Sequence, residues 1–325
     1  MISESAFLEA IGSEPKGSPR RLIYADWLEE QGDPRAELIR LEEEMRTLAV
    51  YSDRYWELKP RRNELRKEAE SKWLEVMRYG TDYEPVFAHG WPDGWKERWR
   101  IVRRWVEIWE GVSLPDVGGH QDVMNATERE LGLTLPPSIR EWISFSRDLD
   151  ETEHCEHLIR DPLGLQLLPE HSSLSLLMQA EGDSYWAVSC DHLTILDPPV
   201  DHYSLSYVDE NGNYVFAPDE HNPITNSVAW LVFKYVEAYG TFPDWSIELG
   251  EDVFLDDWER IRDSLCQEFT HTCEIDDDVF FEREDMVIGI NRRTIWALPG
   301  TIQVYDPKVD ELDHEHLPEV IQQYL

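Results

Sequence analysis

The sequence predicts an α+β protein, with an N-terminal helical region, an antiparallel sheet flanked by helices, and a C-terminal α+β extension. Three observations carry that expectation. Apolar residues recur at helical spacing through the first part of the chain. From about His157 the pattern changes to short runs rich in β-branched and aromatic residues. Helical spacing then returns at Ile224–Gly240, ahead of a second helix–meander–helix order. With 41% apolar residues over 325 positions, the chain can build two or three cored domains, which an acidic disordered tail could not. The expected divisions are 1–50, 51–102, 103–240 and 241–325.

The segment from Ser3 to about Leu48 reads as three short helices. Phe7, Leu8 and Ile11 mark the first, and Leu22, Ile23, Trp27 and Leu28 the second. In QGDPRAELIRLEEEM, Gly32 can end a helix in a left-handed conformation, Asp33 can accept from the free N–H groups of the next, and Pro34 suits its first position. Tyr24 and Trp27 are expected in the hairpin core. Asp26, Arg35, Glu37 and Arg40 read either as ion pairs within the segment or as a partner surface. Residues 21–42, RLIYADWLEEQGDPRAELIRLE, resemble the planctomycete-type repeat-companion domain, a family without an established function. Leu38 stands where that family usually has Phe, and the spacing after Asp33 is shortened.

Connecting helices are expected over 51–102. One should begin near Pro60, with Leu65, Ala69, Trp73 and Met77 on a single stripe. Tryptophans concentrate further on, at Trp91, Trp95, Trp99, Trp105 and Trp109, and their four-residue intervals place much of the set on one helical face. Core packing is the expectation there. An aromatic stacking platform for nucleic acid would also need a basic groove, and the chain that follows is strongly acidic.

Residues 127–145, TERELGLTLPPSIREWISF, read as a second helical pair. Thr127 and Glu130 have capping-box spacing, Gly132 can terminate the first helix, and Pro136 with Pro137 can open the second, whose apolar face is Ile139, Trp142 and Ile143. HLIRDPLGLQLLP, SLSLLMQA, SYWAVSCD, HLTILDPP and YSLSYVDENGNYVFAP are expected as successive strands, with a tight turn at Asn211-Gly212. This order, helix, Leu-Pro helix, meander and closing helix, resembles the SUKH superfamily over about 103–240. The motif ERELGLTLPPSIREWISF carries the likeness, supported by the Asp197-Pro198-Pro199-Val200 turn and the Val228-Ala229-Trp230-Leu231 helix. The resemblance implies a non-enzymatic immunity protein that binds and neutralises a toxin, often a nuclease. Beyond it, FLDDWERIRDSLCQEF reads as a helix, DVFFERED, MVIGINR, RTIWALPG and TIQVYDP as a meander, and LPEVIQQYL as a last helix. These residues are expected to extend the sheet or to form a small third domain.

Charge supports a partner-binding reading independently. Val106–Leu325 carries 46 acidic residues against 11 Lys and Arg, whereas Met1–Trp105 carries 21 against 19. A halophilic surface would be acidic throughout, so the contrast points to a basic protein toxin or effector as partner. Direct nucleic-acid binding is not expected. The expected contacts lie on or beside strand turns: Trp186, Asp191, Asp197, Asp201, Tyr207, Asp209 and Glu210. Two alternatives remain open at this point, a scaffold in a bacterial signalling system and a DNA mimic.

Enzymatic and metal chemistry find little support. No G-x-S-x-G, H-E-x-x-H or phosphate-binding glycine loop occurs, and Cys190, Asp191 and His192 are adjacent in sequence, which does not make a nucleophile–base pair. His154, Cys155 and His157, the pair His271 and Cys273, and the group Asp313, His314 and His316 each supply too few ligands for zinc. Asp276, Asp277 and Asp278 lack the glycine and distal glutamate of an EF-hand and read as a charged turn. No catalytic residue, metal or cofactor is expected. Glu4 in the leading MISESAFLEA and the absence of a long apolar run suit a cytoplasmic protein, as do four cysteines without a C-x-x-C pair.

Overall fold

A computed structural model describes residues 3–13, 17–79, 85–152, 165–168, 172–178, 184–208, 214–219, 222–239, 245–248, 251–276, 278–283, 286–291, 301–305 and 317–323. The chain divides into two compact units, Met1–Val86 and Phe87–Leu325. The α+β class expected from the sequence is what the structure has.

The first unit is helical: α1 (Glu4–Gly12), α2 (Pro19–Glu29), α3 (Arg35–Met45), α4 (Asp53–Glu68) and α5 (Ser71–Met77). Gly32 takes the left-handed conformation at φ 72°, and the Asp33 carboxylate accepts from the Arg35 N–H at 2.9 Å, as the turn chemistry requires. Tyr24, Leu28, Leu38, Ile39, Leu65, Trp73 and Met77 form its core, with Trp27 half-buried against them. The Tyr24 hydroxyl donates to Glu4 and accepts from the Trp73 indole N–H, and burial pushes its pKa up to about 12. The charged motif residues form ion pairs within this unit, several of them at an exposed surface. Arg40 pairs with Asp26 and Glu29, Arg35 with Asp33 and Glu4, Arg61 with Glu37, and Arg66 with Glu42.

The helix expected from Pro60 begins instead at Asp53, where the Ser52 side chain accepts from the Tyr55 N–H. Proline prefers the first turn because its missing N–H is not needed there. Here Pro60 lies within α4, and the burial of Tyr55, Trp56, Leu58 and Leu65 stabilises the helix across that interruption. The expected stripe is also broken, because Ala69 is extended and separates α4 from α5.

The second unit opens with α6 (Trp95–Glu110), α7 (Gln121–Leu131) and α8 (Pro137–Asp150). The division anticipated at 102/103 falls inside α6, so 51–102 is not one linking segment: α4 and α5 belong to the first unit and α6 to the second. Trp99 and Trp105 are fully buried, while Trp91 precedes the helix. The capping box at Thr127 does not form. Helix α7 begins at Gln121, and the Thr127 hydroxyl donates to the Val123 carbonyl one turn back. Gly132 and Pro137 do act as the sequence predicts, as left-handed terminator and first helical residue.

Strands β1 (Gln166–Leu168), β2 (Ser173–Met178), β3 (Ser184–Ser189), β4 (Asp201–Val208) and β5 (Tyr214–Pro218) form an antiparallel meander in that order. The Asn211-Gly212 turn lies outside the described residues. Helix α9 (Val228–Tyr239) follows and packs on α6 and α8. The strand expected at HLTILDPP is absent: Cys190–His192 form a single 3₁₀ turn and the rest is loop. The residues beyond 240 do not extend this sheet. They contribute β6 (Trp245–Glu248), α10 (Glu251–Glu268), β7 (His271–Ile275), β8 (Asp278–Arg283), β9 (Met286–Asn291), β10 (Thr301–Tyr305) and α11 (Glu319–Gln322), building a separate sheet ordered β6-β10-β9-β8-β7 in the same compact unit. One face of it, with Val279, Phe281, Ile288, Ile290, Ile302 and Val304, packs with Ile261, Leu265 and Ile321 of the helices. The run at RTIWALPG lies outside the described residues. No described helix is long and apolar enough to cross a membrane.

Candidate partner-binding site

The loop joining β3 to β4 is built from its two ends inward. At its start the Cys190 N–H donates to the Ser172 carbonyl at 2.8 Å. At its end Val200 and Thr225 form an isolated antiparallel bridge. Between them Asp197 is buried, accepting from the Ser227 hydroxyl at 2.5 Å, from the Ala229 N–H at 3.2 Å and from Arg98 at 2.9 Å. The Ser227 hydroxyl immediately precedes α9 and the Ala229 N–H lies in its first turn, where a carboxylate satisfies a free donor and opposes the positive end of the helix dipole.

Around this loop the structure gathers three carboxylates at one end of the first sheet. Asp191 lies exposed in the 3₁₀ turn, Asp201 is half-buried at the start of β4, and Asp219 is exposed just past β5. Burial raises the Asp201 pKa, with the charge of His192 pulling in the opposite direction. His202 sits 3.3 Å from Asp219.

The seven residues singled out by sequence therefore separate. Asp191 and Asp201 come together. Asp197 faces inward and is a structural anchor, contrary to the expectation of a contact residue. Trp186 is likewise buried, its indole ring centroid 5.0 Å from that of His202. Tyr207 is exposed, but six residues along β4 from Asp201 is about 20 Å at the rise of an extended strand. Asp209 and Glu210 lie outside the described residues. Sequence reasoning missed Asp219, Ile195 and Leu196. The apolar Ile-Leu pair resembled strand core, although two prolines and an aspartate immediately after it are signals of a loop.

The charge contrast persists, somewhat reduced, at the physical division. Met1–Val86 holds 19 acidic residues against 14 Lys and Arg, and the remainder 48 against 16. Of the twelve described Lys and Arg in the second unit, ten form ion pairs with carboxylates of that unit, so they do not form a free basic groove for phosphate. Among the described residues, no three His, Cys, Asp or Glu are placed to hold a metal ion. The candidates His154, Cys155, His157, Asp313, His314 and His316 lie outside the described residues.

The anchoring assignment of Asp197 is checked by substitution. Asp197→Ala is expected to cost about 2 kcal/mol in denaturant unfolding, from the lost helix cap and the polar groups left buried without it. Asp191→Ala should stay within about 0.5 kcal/mol, as an exposed residue does. Equal effects of the two changes would refute the distinction. Comparison of the chain with protein-family models, with curated proteins and with solved structures returns no match.

Proposed function

We propose that this chain is a non-enzymatic, SUKH-like protein-binding module whose acidic second unit binds a basic partner, and that it serves as an immunity protein against a cationic toxin. The observation that carries the reading is the charge contrast between the two units, which leaves the second with three times as many acidic as basic residues. A field of that sign accelerates encounter with a cationic surface and competes with phosphate for it. The first unit is nearly balanced, and its conspicuous charges are engaged in internal pairs, so partner contact is assigned to the second unit.

Co-expression tests the proposal. Each gene neighbouring this one is expressed in a host cell alone and together with the full chain. One neighbour is expected to be toxic alone and tolerated in combination, and the two proteins should co-elute in a complex that weakens as ionic strength rises. Absence of rescue by any neighbour, or a complex indifferent to salt, would overturn the reading.

A further inference from the structure

We infer that Leu196, with Ile195 beside it, is the apolar anchor on which the second unit seats a basic, amphipathic partner surface, one in which Lys or Arg side chains surround an apolar patch. The inference rests on the proposal that this unit binds basic proteins, and it assigns the place. Leu196 is 58% exposed and Ile195 42% exposed. A lone exposed leucine is ordinary on any protein surface. What distinguishes this pair is the backbone that carries it.

The Ser138 N–H, at the start of α8, donates to the Leu196 carbonyl at 3.0 Å, and the Ile195 N–H donates to the His192 carbonyl at 2.9 Å. The next residue, Asp197, is buried and bonded to α6 and α9 through Arg98, Ser227 and Ala229. Helix α8 thus holds the main chain at Leu196, and α6 and the start of α9 hold the side chain of the next residue, while two apolar side chains are exposed to water. Fixing the segment beforehand removes much of the ordering cost that a flexible loop would meet on binding. A pre-ordered apolar centre ringed by polar groups is also the usual form of an energetic hot spot.

Charge selects the occupant. Asp191, Asp201 and Asp219 lie at this end of the sheet, and the neighbouring cations are engaged elsewhere: Arg98 with Asp197, and Arg140, two residues beyond Ser138, with Glu128. A second copy of the chain would bring another strongly negative unit, which like-charge repulsion opposes. A cationic surface with an apolar centre meets both features at once.

Three synthetic peptides of equal length test this against the full chain by fluorescence anisotropy at fixed ionic strength: an amphipathic Lys/Leu peptide, an oligolysine and an amphipathic Glu/Leu peptide. The wild-type chain is expected to bind Lys/Leu about tenfold more tightly than oligolysine, equivalent to ~1.4 kcal/mol, and Glu/Leu not at all. Leu196→Ser should bring Lys/Leu close to oligolysine while leaving oligolysine binding unchanged. Ile23→Ser, which removes a comparably exposed side chain from the first unit, should leave the preference intact. Retention of the preference in Leu196→Ser overturns the anchor and leaves the acidic-unit proposal standing, and so does an absence of preference in the wild type. Failure of both cationic peptides to bind overturns both.

Discussion

Replacing Arg103 with Met is expected to destabilise the second unit by about 3–5 kcal/mol, the penalty for removing one partner of a buried ion cluster. Arg103 is fully buried on α6. Its Nε and one terminal nitrogen donate to Glu141 Oε1 at 2.9 and 2.5 Å, and the other terminal nitrogen lies 2.6 Å from Asp148 Oδ2. The other oxygen of Glu141 accepts from the Gly118 N–H at 2.8 Å, and the other oxygen of Asp148 lies 3.0 Å from His120. One guanidinium therefore joins α6, α8 and the loop before α7. Without it, two carboxylates remain in a low-dielectric interior.

Glu141→Gln supplies the contrast. Burial pushes the Glu141 carboxyl up even though Arg103 pulls it down, so part of the cluster's attraction is offset by the cost of keeping this group ionised. A neutral amide of the same shape leaves the Arg103–Asp148 pair in place. The expected loss is under half that of Arg103→Met. Guanidinium unfolding followed by tryptophan fluorescence measures both, since Trp99, Trp105 and Trp142 are buried in this unit. Equal losses would show that the cluster is not held together by its single cation.

Such clusters mark the limit of what the sequence discloses. Local punctuation was legible: Gly32, Gly132, Pro137 and the runs at Ser173, Ser184 and Met286 encode their own conformation within a few residues. Pro60 and Thr127 misled because each is read from local rules alone: the Ser52 cap starts α4 eight residues before Pro60 and burial carries the helix past it, while α7 begins at Gln121 without a side-chain cap and takes Thr127 into its interior. The site was less legible than the fold. Whether a carboxylate faces water or a helix end depends on partners far along the chain; Asp197 is 99 residues from Arg98 and 30 from Ser227. Asp191 and Asp197 look alike in sequence, both acids beside turns, and only the long-range contacts separate a surface charge from a buried anchor. The same distance concealed Ile195 and Leu196, whose exposure follows from the anchoring of the residue after them.

Loss of Lys234 is the second change expected to cost about 3–5 kcal/mol, because it too leaves buried carboxylates without their cation. Lys234 lies inside, on α9. Its ammonium is 2.6 Å from Glu237 Oε2 and 3.6 Å from Asp278 Oδ2, and the Tyr305 hydroxyl donates to Glu237 Oε1 at 2.5 Å. Asp278 begins β8 and Tyr305 ends β10, so Lys234 and Glu237 together tie α9 to two strands of the second sheet. Trp230 and Phe280 present their rings to the same ammonium, with centroids 5.9 and 5.8 Å away. Burial alone would lower the lysine pKa, but Asp278 and Glu237 outweigh it and the net direction is upward from 10.5. A pKa raised on folding gives stability that is complete below the unfolded value and lost as pH rises through the folded one. The stability difference between wild type and Lys234→Met should accordingly be constant from neutral pH to about 10 and begin to shrink only above it. Measured unfolding free energies across that range decide the matter: a difference that fell away already near neutral pH would mean that Lys234 is not charged in the folded protein and that α9 is held to the sheet by packing alone.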